Sequence, residues 1–391
     1  MIAKKVEEFI LETILDQNWP LLLSFICFNL AYAIAKFPLC SFLLSIAGFA
    51  FLISVYFGIL SIVSTGRAVL ITGCDSGFGN ELAKKLNAIG FTVFAGCLDE
   101  KSNGAIELNR TGDETGQRLH VIQMNVTKQE EVDKALDYVE KHLPENGLWG
   151  VVNNAGQYGS PGCFEWIPTH VLEKEMSVNL FGVIRVTNAF LPLVRRSQGR
   201  IVNVSSIMDR MTSPFSGCYT ITKGAIESYS AILRLEMKRF NVQVVVIEPG
   251  NFMAATNINK SNAGEDTCQS RRLWDQLDEK IKNDYGEECF QQVISINRKL
   301  AEISTGEPHT VVDAMVNAVS RLYPKNRYFV ANMSDKIMAY GMQFLPLWIS
   351  DRLLLAIIDN PVLFDSMQYF KYAVLIPFSA TLLWLGAMIC M

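Results

Sequence analysis

The chain has 391 residues, 50% of them hydrophobic and 19% charged, with a formal net charge of −4. That length carries one large domain or two modest ones with ample core, and the absence of basic runs or aromatic–basic interleaving implies no nucleic-acid partner. Nine cysteines at irregular spacing without a C-x-x-C pair, and four isolated histidines, supply neither a disulfide framework nor a metal cluster.

The hydrophobic excess sits at the two ends. Between Trp19 and Ser64 the only formal charge is Lys36, and the 25 residues Leu39–Val63 have none, which is enough to cross a bilayer with some tilt. The shorter run Pro20–Ala35, interrupted by Asn29, reads either as a second span or as an interfacial segment. The opening stretch mixes acidic and basic residues, unlike a cleaved signal peptide or a transit peptide. Residues 1–66 are therefore expected to form an N-terminal membrane anchor of one or two spans. At the far end Tyr372–Met391 is uncharged; it reads as a tail anchor, an interfacial hairpin kinked at Pro377, or a buried terminal helix. Residues 331–391 are taken together as a C-terminal apolar, membrane-associated tail.

From Arg67 the pattern changes. The apolar run Ala68–Thr72 leads into a glycine-rich turn and a helical stretch, then "FTVFAGCL", "LHVIQMNV", the helix "KQEEVDKALDYVEKHL" and "GLWGVVNNAG". A long helix through "MSVNLFGVIRVTNAFLPLVRR" follows, then "GRIVNVSS", a helix carrying Tyr219, and "VQVVVIEPG". Continuous apolar strands alternating with amphipathic helices predict an α/β fold, a Rossmann-type doubly wound parallel sheet covered on both faces. It should span 67–330, with a substrate lid over about 251–307. Ligands gather at the C-terminal ends of the strands in such a sheet. Sequons at Asn109, Asn125, Asn203, Asn259 and Asn332 say little about glycosylation, because two of them fall in strand-like runs.

The first strand runs into "TGCDSGFG", Thr72 to Gly79. Gly73, Gly77 and Gly79 let the backbone turn tightly and approach a pyrophosphate, while a helix N-terminus near Phe78 offers free N–H groups. Cofactor preference follows from charge: Asp75 and Ser76 lie in the turn, and Asp99 and Glu100 follow the second strand with no base before Lys101. A free ribose diol wants a carboxylate acceptor, a 2′-phosphate wants a base, so NAD is favoured over NADP. Tyr219 and Lys223 stand four positions apart on one helix face. An ammonium beside a phenol favours the phenolate, a proton donor or acceptor for an alcohol/carbonyl pair. Ser206 ends the strand "RIVNVSS", where its hydroxyl can meet a substrate oxygen also touched by the phenol. Asn179 lies mid-helix, and Asn153 and Asn154 fit the turn after a strand.

With the glycine turn, the run Asn153-Asn154-Ala155-Gly156, Asn179, Ser206, Tyr219-x-x-x-Lys223 and Pro249-Gly250, the chain resembles the short-chain dehydrogenase/reductase family over roughly Arg67–Tyr328. The blocks "GCDSGFG", "FAGCL", "LWGVVNNAG", "FLPLVRR" and "EPGNF" are similar to its branch of D-β-hydroxybutyrate dehydrogenase, microsomal retinol dehydrogenases and 17β-hydroxysteroid dehydrogenase type 2. The resemblance implies that Tyr219 is the acid/base. It has Lys223 lower the phenol's pKa and hold the nicotinamide ribose, Ser206 polarise the substrate oxygen, and Asn179 position a relaying water. Asn153, Ala155 and Gly156 would flank the adenosine half of the cofactor. Two departures stand out: Asn125, followed by Val126, replaces the usual Asp near the adenine, and Ala254 replaces a Thr, whose amide contact Thr256 can take over.

Membrane attachment favours a lipophilic steroid or retinoid hydroxyl as substrate, with D-3-hydroxybutyrate as the alternative; a short hydroxy acid would need a cation such as Arg210 or Lys260. A rival of another class is an NAD-binding membrane scaffold without turnover, against which the complete Asn–Ser–Tyr–Lys set speaks. Basic residues flank the first apolar block on both sides, so the positive-inside rule barely decides sidedness. The expected location is the endoplasmic reticulum membrane, domain facing the cytosol, with the mitochondrial inner membrane as alternative. The resemblance also implies a homo-oligomer built on the helices of Asn179 and Tyr219.

Overall fold

The computed structural model describes residues 60–116, 118–253, 265–302 and 307–359, with positions 46, 48–50, 53 and 56–58 ahead of them. The run Pro20–Ala35, much of Leu39–Val63, the tail Tyr372–Met391, and Ala254, Thr256 and Lys260 of the lid lie outside the described residues. Contacts divide the chain into two compact units, one of Val63–Ser320 with Pro324–Arg352, the other holding Arg321–Tyr323 with the terminal segments. In the second unit Leu322 N donates to Leu60 O at 2.8 Å and the Phe57 and Tyr323 rings meet edge-on.

The first unit is built on seven strands: β1 (Ala68–Thr72), β2 (Thr92–Cys97), β3 (Leu119–Gln123), β4 (Leu148–Asn153), β5 (Arg200–Val204), β6 (Gln243–Pro249) and β7 (Arg327–Val330). All pair in parallel, in the order 3-2-1-4-5-6-7. Every residue of β1 and β4 is buried, which is why these strands read as unbroken apolar runs rather than alternating ones. The strand order reverses between β1 and β4, opening a crevice at their C-terminal ends.

Helices cover both faces: α1 (Gly77–Ala88), α2 (Asn103–Glu114), α3 (Gln129–His142), α4 (Thr169–Met176), α5 (Val183–Ser197), α6 (Gly217–Met237) and, later in the chain, α9 (Pro308–Ser320). One core joins Leu70, Phe94 and Val151 of the sheet to Val132 and Val139 of α3 and to Val186, Phe190 and Leu233 of α5 and α6. A widened π turn, Ser177–Gly182, makes α4 and α5 one continuous helix. Among the described residues this helix, Thr169–Ser197, is the one long and apolar enough to cross a membrane. Its apolar stripe of Val183, Val186, Phe190 and Leu193 is buried against the sheet, so it is a core element.

Past β6, α7 (Glu265–Asp275) and α8 (Glu279–Glu302, broken at Gly286) close a separate small core of Trp166, Trp274, Phe290, Val293 and Ile294. After β7 come α10 (Met333–Phe344), capped by the Asn332 side chain, and α11 (Leu347–Asp359). Ala339 of α10 packs on Phe329 and Ile207, so the first unit continues past the sheet.

Candidate active site

The turn after β1 is shaped by what glycine lacks. Gly73 and Gly77 have φ of +70° and +60°, a left-handed backbone that side chains disfavour. A Cβ on Gly79 would lie 2.3 Å from Gly73 O, so only glycine lets α1 start this close to the strand. Ser76, the residue ahead of α1, makes no side-chain cap, and the first-turn N–H groups of α1 face the crevice without one. Phe78 meets Phe252 edge-on at 5.8 Å and ties the turn to the loop after β6. Thr72 is internal: its Oγ1 accepts from the N–H groups of Asn154 and Ala155 at 3.0 and 2.9 Å.

Asp75 accepts from the backbone of Leu98 and Asp99, both at 2.9 Å. It therefore organises the loop beyond β2 in which Asp99 sits. At the end of β2 stand Gly96, where a Cβ would strike Met124 at 2.5 Å, and Cys97, neither of them an acid. After β3, Asn125 Oδ1 accepts from the amide and hydroxyl of Thr127, so its acceptor is used within the chain. Val126 packs where Gly182 of the π turn leaves room.

Asn153, expected to flank the adenosine half, has a buried side chain that donates to Thr187 Oγ1 on α5 at 2.9 Å and to Asn203 Oδ1 on β5 at 2.8 Å, a role between sheet and helix. Its neighbour Asn154 instead donates to Thr72 O and Gly73 O at 2.9 and 3.0 Å, bracing the glycine turn.

The four candidate catalytic residues converge. Asn179, in the π turn, accepts from Gln157 N at 2.8 Å and donates to Gln157 O at 2.8 Å and Thr222 Oγ1 at 3.1 Å. It thereby clamps the loop after β4 to α6. Lys223 Nζ donates to Val204 O at 2.9 Å and lies 5.4 Å from the centre of the Tyr219 ring. A Cβ on Gly156 would be 3.5 Å from Asn179 Oδ1 and 3.7 Å from Lys223 Nζ, so all three share one volume. Ser206 follows β5 and hydrogen-bonds the Tyr219 phenol. Tyr158, from the β4 loop, stacks obliquely on Tyr219 at 5.1 Å and is held by Ser216 at 2.7 Å. Pro249 ends β6, and Gly250 donates to Val330 O at 2.8 Å.

Burial governs the electrostatics of the site. Burial pushes the Tyr219 phenol above its ordinary value, the Ser206 hydrogen bond pulls it back, and Glu175, Tyr158 and Asp209 add to the rise. The same burial brings Lys223 down to about 8, with Glu175 and Asp209 opposing. Lysine was expected to lower the phenol; in the protein alone, burial dominates. Glu175 is a site residue that sequence reasoning missed, and its signal is its position four residues before Asn179. Behind the site Arg210 binds Glu248 at 2.6 Å, and Arg327 binds Glu248 and Glu227. Asp209, Glu227 and Glu248 come within 4.8 Å of one another, but the two guanidiniums already supply the positive charge.

Residues 67–266 match the family model of short chain dehydrogenase. The chain is a short-chain dehydrogenase. It is accordingly an oxidoreductase of CH–OH groups and their carbonyls. It is 41% identical to D-beta-hydroxybutyrate dehydrogenase, mitochondrial, of Bos taurus over 73% of this chain and 83% of that one. It is 39% identical to 17-beta-hydroxysteroid dehydrogenase type 6 of Homo sapiens (74% and 87% covered) and 39% identical to retinol dehydrogenase 7 of Rattus norvegicus (73% and 86% covered). The fold of the dehydrogenase matches a short-chain dehydrogenase from Streptomyces avermitilis with TM-score 0.55 at 22% identity, over 79% of this chain and 98% of that one.

Proposed function

We propose that this dehydrogenase is attached to a membrane and uses NAD to oxidise the hydroxyl of a lipophilic steroid or retinoid, or reduces the matching carbonyl. The observation that carries the substrate class is the state of Arg210. A short hydroxy acid needs a cation for its carboxylate, and Arg210, one of the two the sequence offers, is held by Glu248 at 2.6 Å and lies over the Phe329 and Tyr340 rings. The aromatic face that Tyr158 presents at Tyr219 suits an apolar skeleton instead.

The glycine turn fits a dinucleotide: it leaves the first turn of α1 open to a pyrophosphate where any Cβ at Gly79 would close it. Gly73, Ser76, Gly77, Phe78 and Gly79 would hold that group. Asp99, placed by Asp75, would take the adenosine ribose, Asn125, Val126, Ala155 and Gly156 would flank the adenosine half, and Pro249 and Gly250 would meet the nicotinamide end, a contact proposed also for Thr256 from the sequence. Bound there, NAD supplies the hydride acceptor. Tyr219 takes the hydroxyl proton, Ser206 holds the substrate oxygen, Lys223 stabilises the phenolate and binds the nicotinamide ribose, and Asn179 orders the water behind them.

Phe344, Leu347 and Trp348 at the junction of α10 and α11 are 77%, 80% and 63% exposed, an apolar patch suited to a bilayer surface. Residues 1–66 would be the anchor and 331–391 would add membrane contact, in the endoplasmic reticulum with the catalytic domain in the cytosol. Phe181 on the π turn and Ile221, Ile232 and Leu235 on α6 are exposed apolar residues on the helices a homo-oligomer would use.

The test follows reduced-nicotinamide absorbance in membranes holding the full chain, with NAD or NADP against estradiol, all-trans-retinol and D-3-hydroxybutyrate. Turnover of a sterol or retinol that falls by about 10²–10⁴-fold in Tyr219→Phe is expected. Turnover of hydroxybutyrate alone would overturn the lipophilic reading and favour the second one, to which the 41% identical relative points.

A further inference from the structure

Glu175 has no task in the reaction as set out above. It stands in the last turns of α4, four residues before Asn179, so the two side chains leave the helix on one face. The residue is 1% exposed, and neither carboxylate oxygen has a hydrogen-bond partner. The Gly159 amide approaches closely enough to draw the carboxyl's pKa down but closes no hydrogen bond. Room is made for the group: a Cβ on Gly159 would come within 2.3 Å of Glu175 Oε2.

A buried, unpaired carboxyl costs several kcal/mol, and such a group in a folded protein calls for an explanation. Here it caps no helix and bonds no neighbour, so packing offers none. What it faces is chemical. From α6 it meets the fields of Lys223, Tyr219 and Cys218, and around Tyr219 and Lys223 stand Tyr158 from the β4 loop and Asp209 from beyond β5.

We propose that Glu175 is a proton-relay residue, which takes up through Lys223 the proton that Tyr219 removes from the alcohol and returns one during carbonyl reduction. In oxidation the carbinol C–H bond breaks and its electron pair leaves as hydride to NAD. The O–H proton passes to Tyr219, onward through Lys223 and across a bridging water to the Glu175 carboxylate, which becomes the neutral acid and then releases the proton to solvent. One alcohol and one NAD give one carbonyl, one reduced nucleotide and one proton. Burial raises Glu175 to about 7 while Lys223 is lowered to about 8, so the two groups are matched for exchange near neutral pH.

The relay rests on the alcohol-dehydrogenase reading, and its test separates the two. In the full-length protein, kcat for oxidation is followed from about pH 5.5 to 9 in wild type, Glu175→Gln and Glu175→Asp. Wild type should rise through a bend near neutral pH. Glu175→Gln should lose the bend and run about tenfold slower at pH 7 with KM for NAD unchanged, while Glu175→Asp keeps a displaced bend. Independently of turnover, the protonated-carboxyl infrared band lost in Glu175→Gln should titrate near neutral pH in wild type. A bend that survives in Glu175→Gln, or a carboxyl band that does not titrate there, overturns the relay. Should Glu175→Gln not fold, an undisplaced bend in Glu175→Asp does the same. An enzyme that oxidises no alcohol removes the functional reading alone, and the infrared titration still decides for or against Glu175.

Discussion

At Tyr219 two forces oppose each other, burial raising the phenol's pKa and the Ser206 hydrogen bond lowering it. Oxidation needs the phenolate. Ser206→Ala should therefore lower kcat/KM at neutral pH by on the order of 10²-fold. An unchanged kcat/KM would show that Ser206 does not act on the phenol. At this scale the sequence was readable where residue types are rare in combination, as with Tyr219-x-x-x-Lys223 and Ser206. Glu175 was not, because "LEKEM" looks like a solvated helix face, and only the tertiary contact with Gly159 shows one of its two glutamates turned inward. The pairing of Arg210 was not readable for the same reason: its partner Glu248 is remote in sequence.

At the scale of elements, the apolar strands were legible because a parallel sheet buries both faces, and the glycine spacing marked the turn into α1. The π turn Ser177–Gly182 was not legible, since one widened turn leaves the apolar periodicity of a long helix almost intact. The close approach at the glycine turn gives a sharp expectation. Gly79→Ala places a Cβ 2.3 Å from Gly73 O, and should weaken NAD binding at least tenfold while destabilising the fold by about 1–3 kcal/mol. Fluorescence titration with reduced nucleotide and a thermal melt read the two effects, and an unaltered affinity would mean that the turn does not seat the pyrophosphate.

For the whole molecule, composition alone separated apolar ends from a mixed central stretch, whereas the small aromatic core of Trp166, Trp274 and Phe290 was beyond reach because its members are remote in sequence. If the exposed patch of Phe344, Leu347 and Trp348 meets the bilayer, Leu347→Ser with Trp348→Ser should raise KM several-fold for a membrane-dissolved alcohol and leave kcat within about twofold. Equal kinetics on vesicle-borne substrate would remove the patch from the delivery route.

Asn153 turned out to serve the interior, and that has a bearing on how the chain assembles. The strand "RIVNV" is so simple that a slip by two residues against β4 would keep each side chain on its own face. The polar chain running from Thr187 through Asn153 and Asn203 to Ser230 forbids it, because Asn153 and Asn203 are register partners and bond each other only in the native alignment. Each amide stranded by a slip would cost about 1–3 kcal/mol. The buried asparagines thus work as a proofreading mark in the hydrophobic text of the sheet, checked once, when the strands first come together.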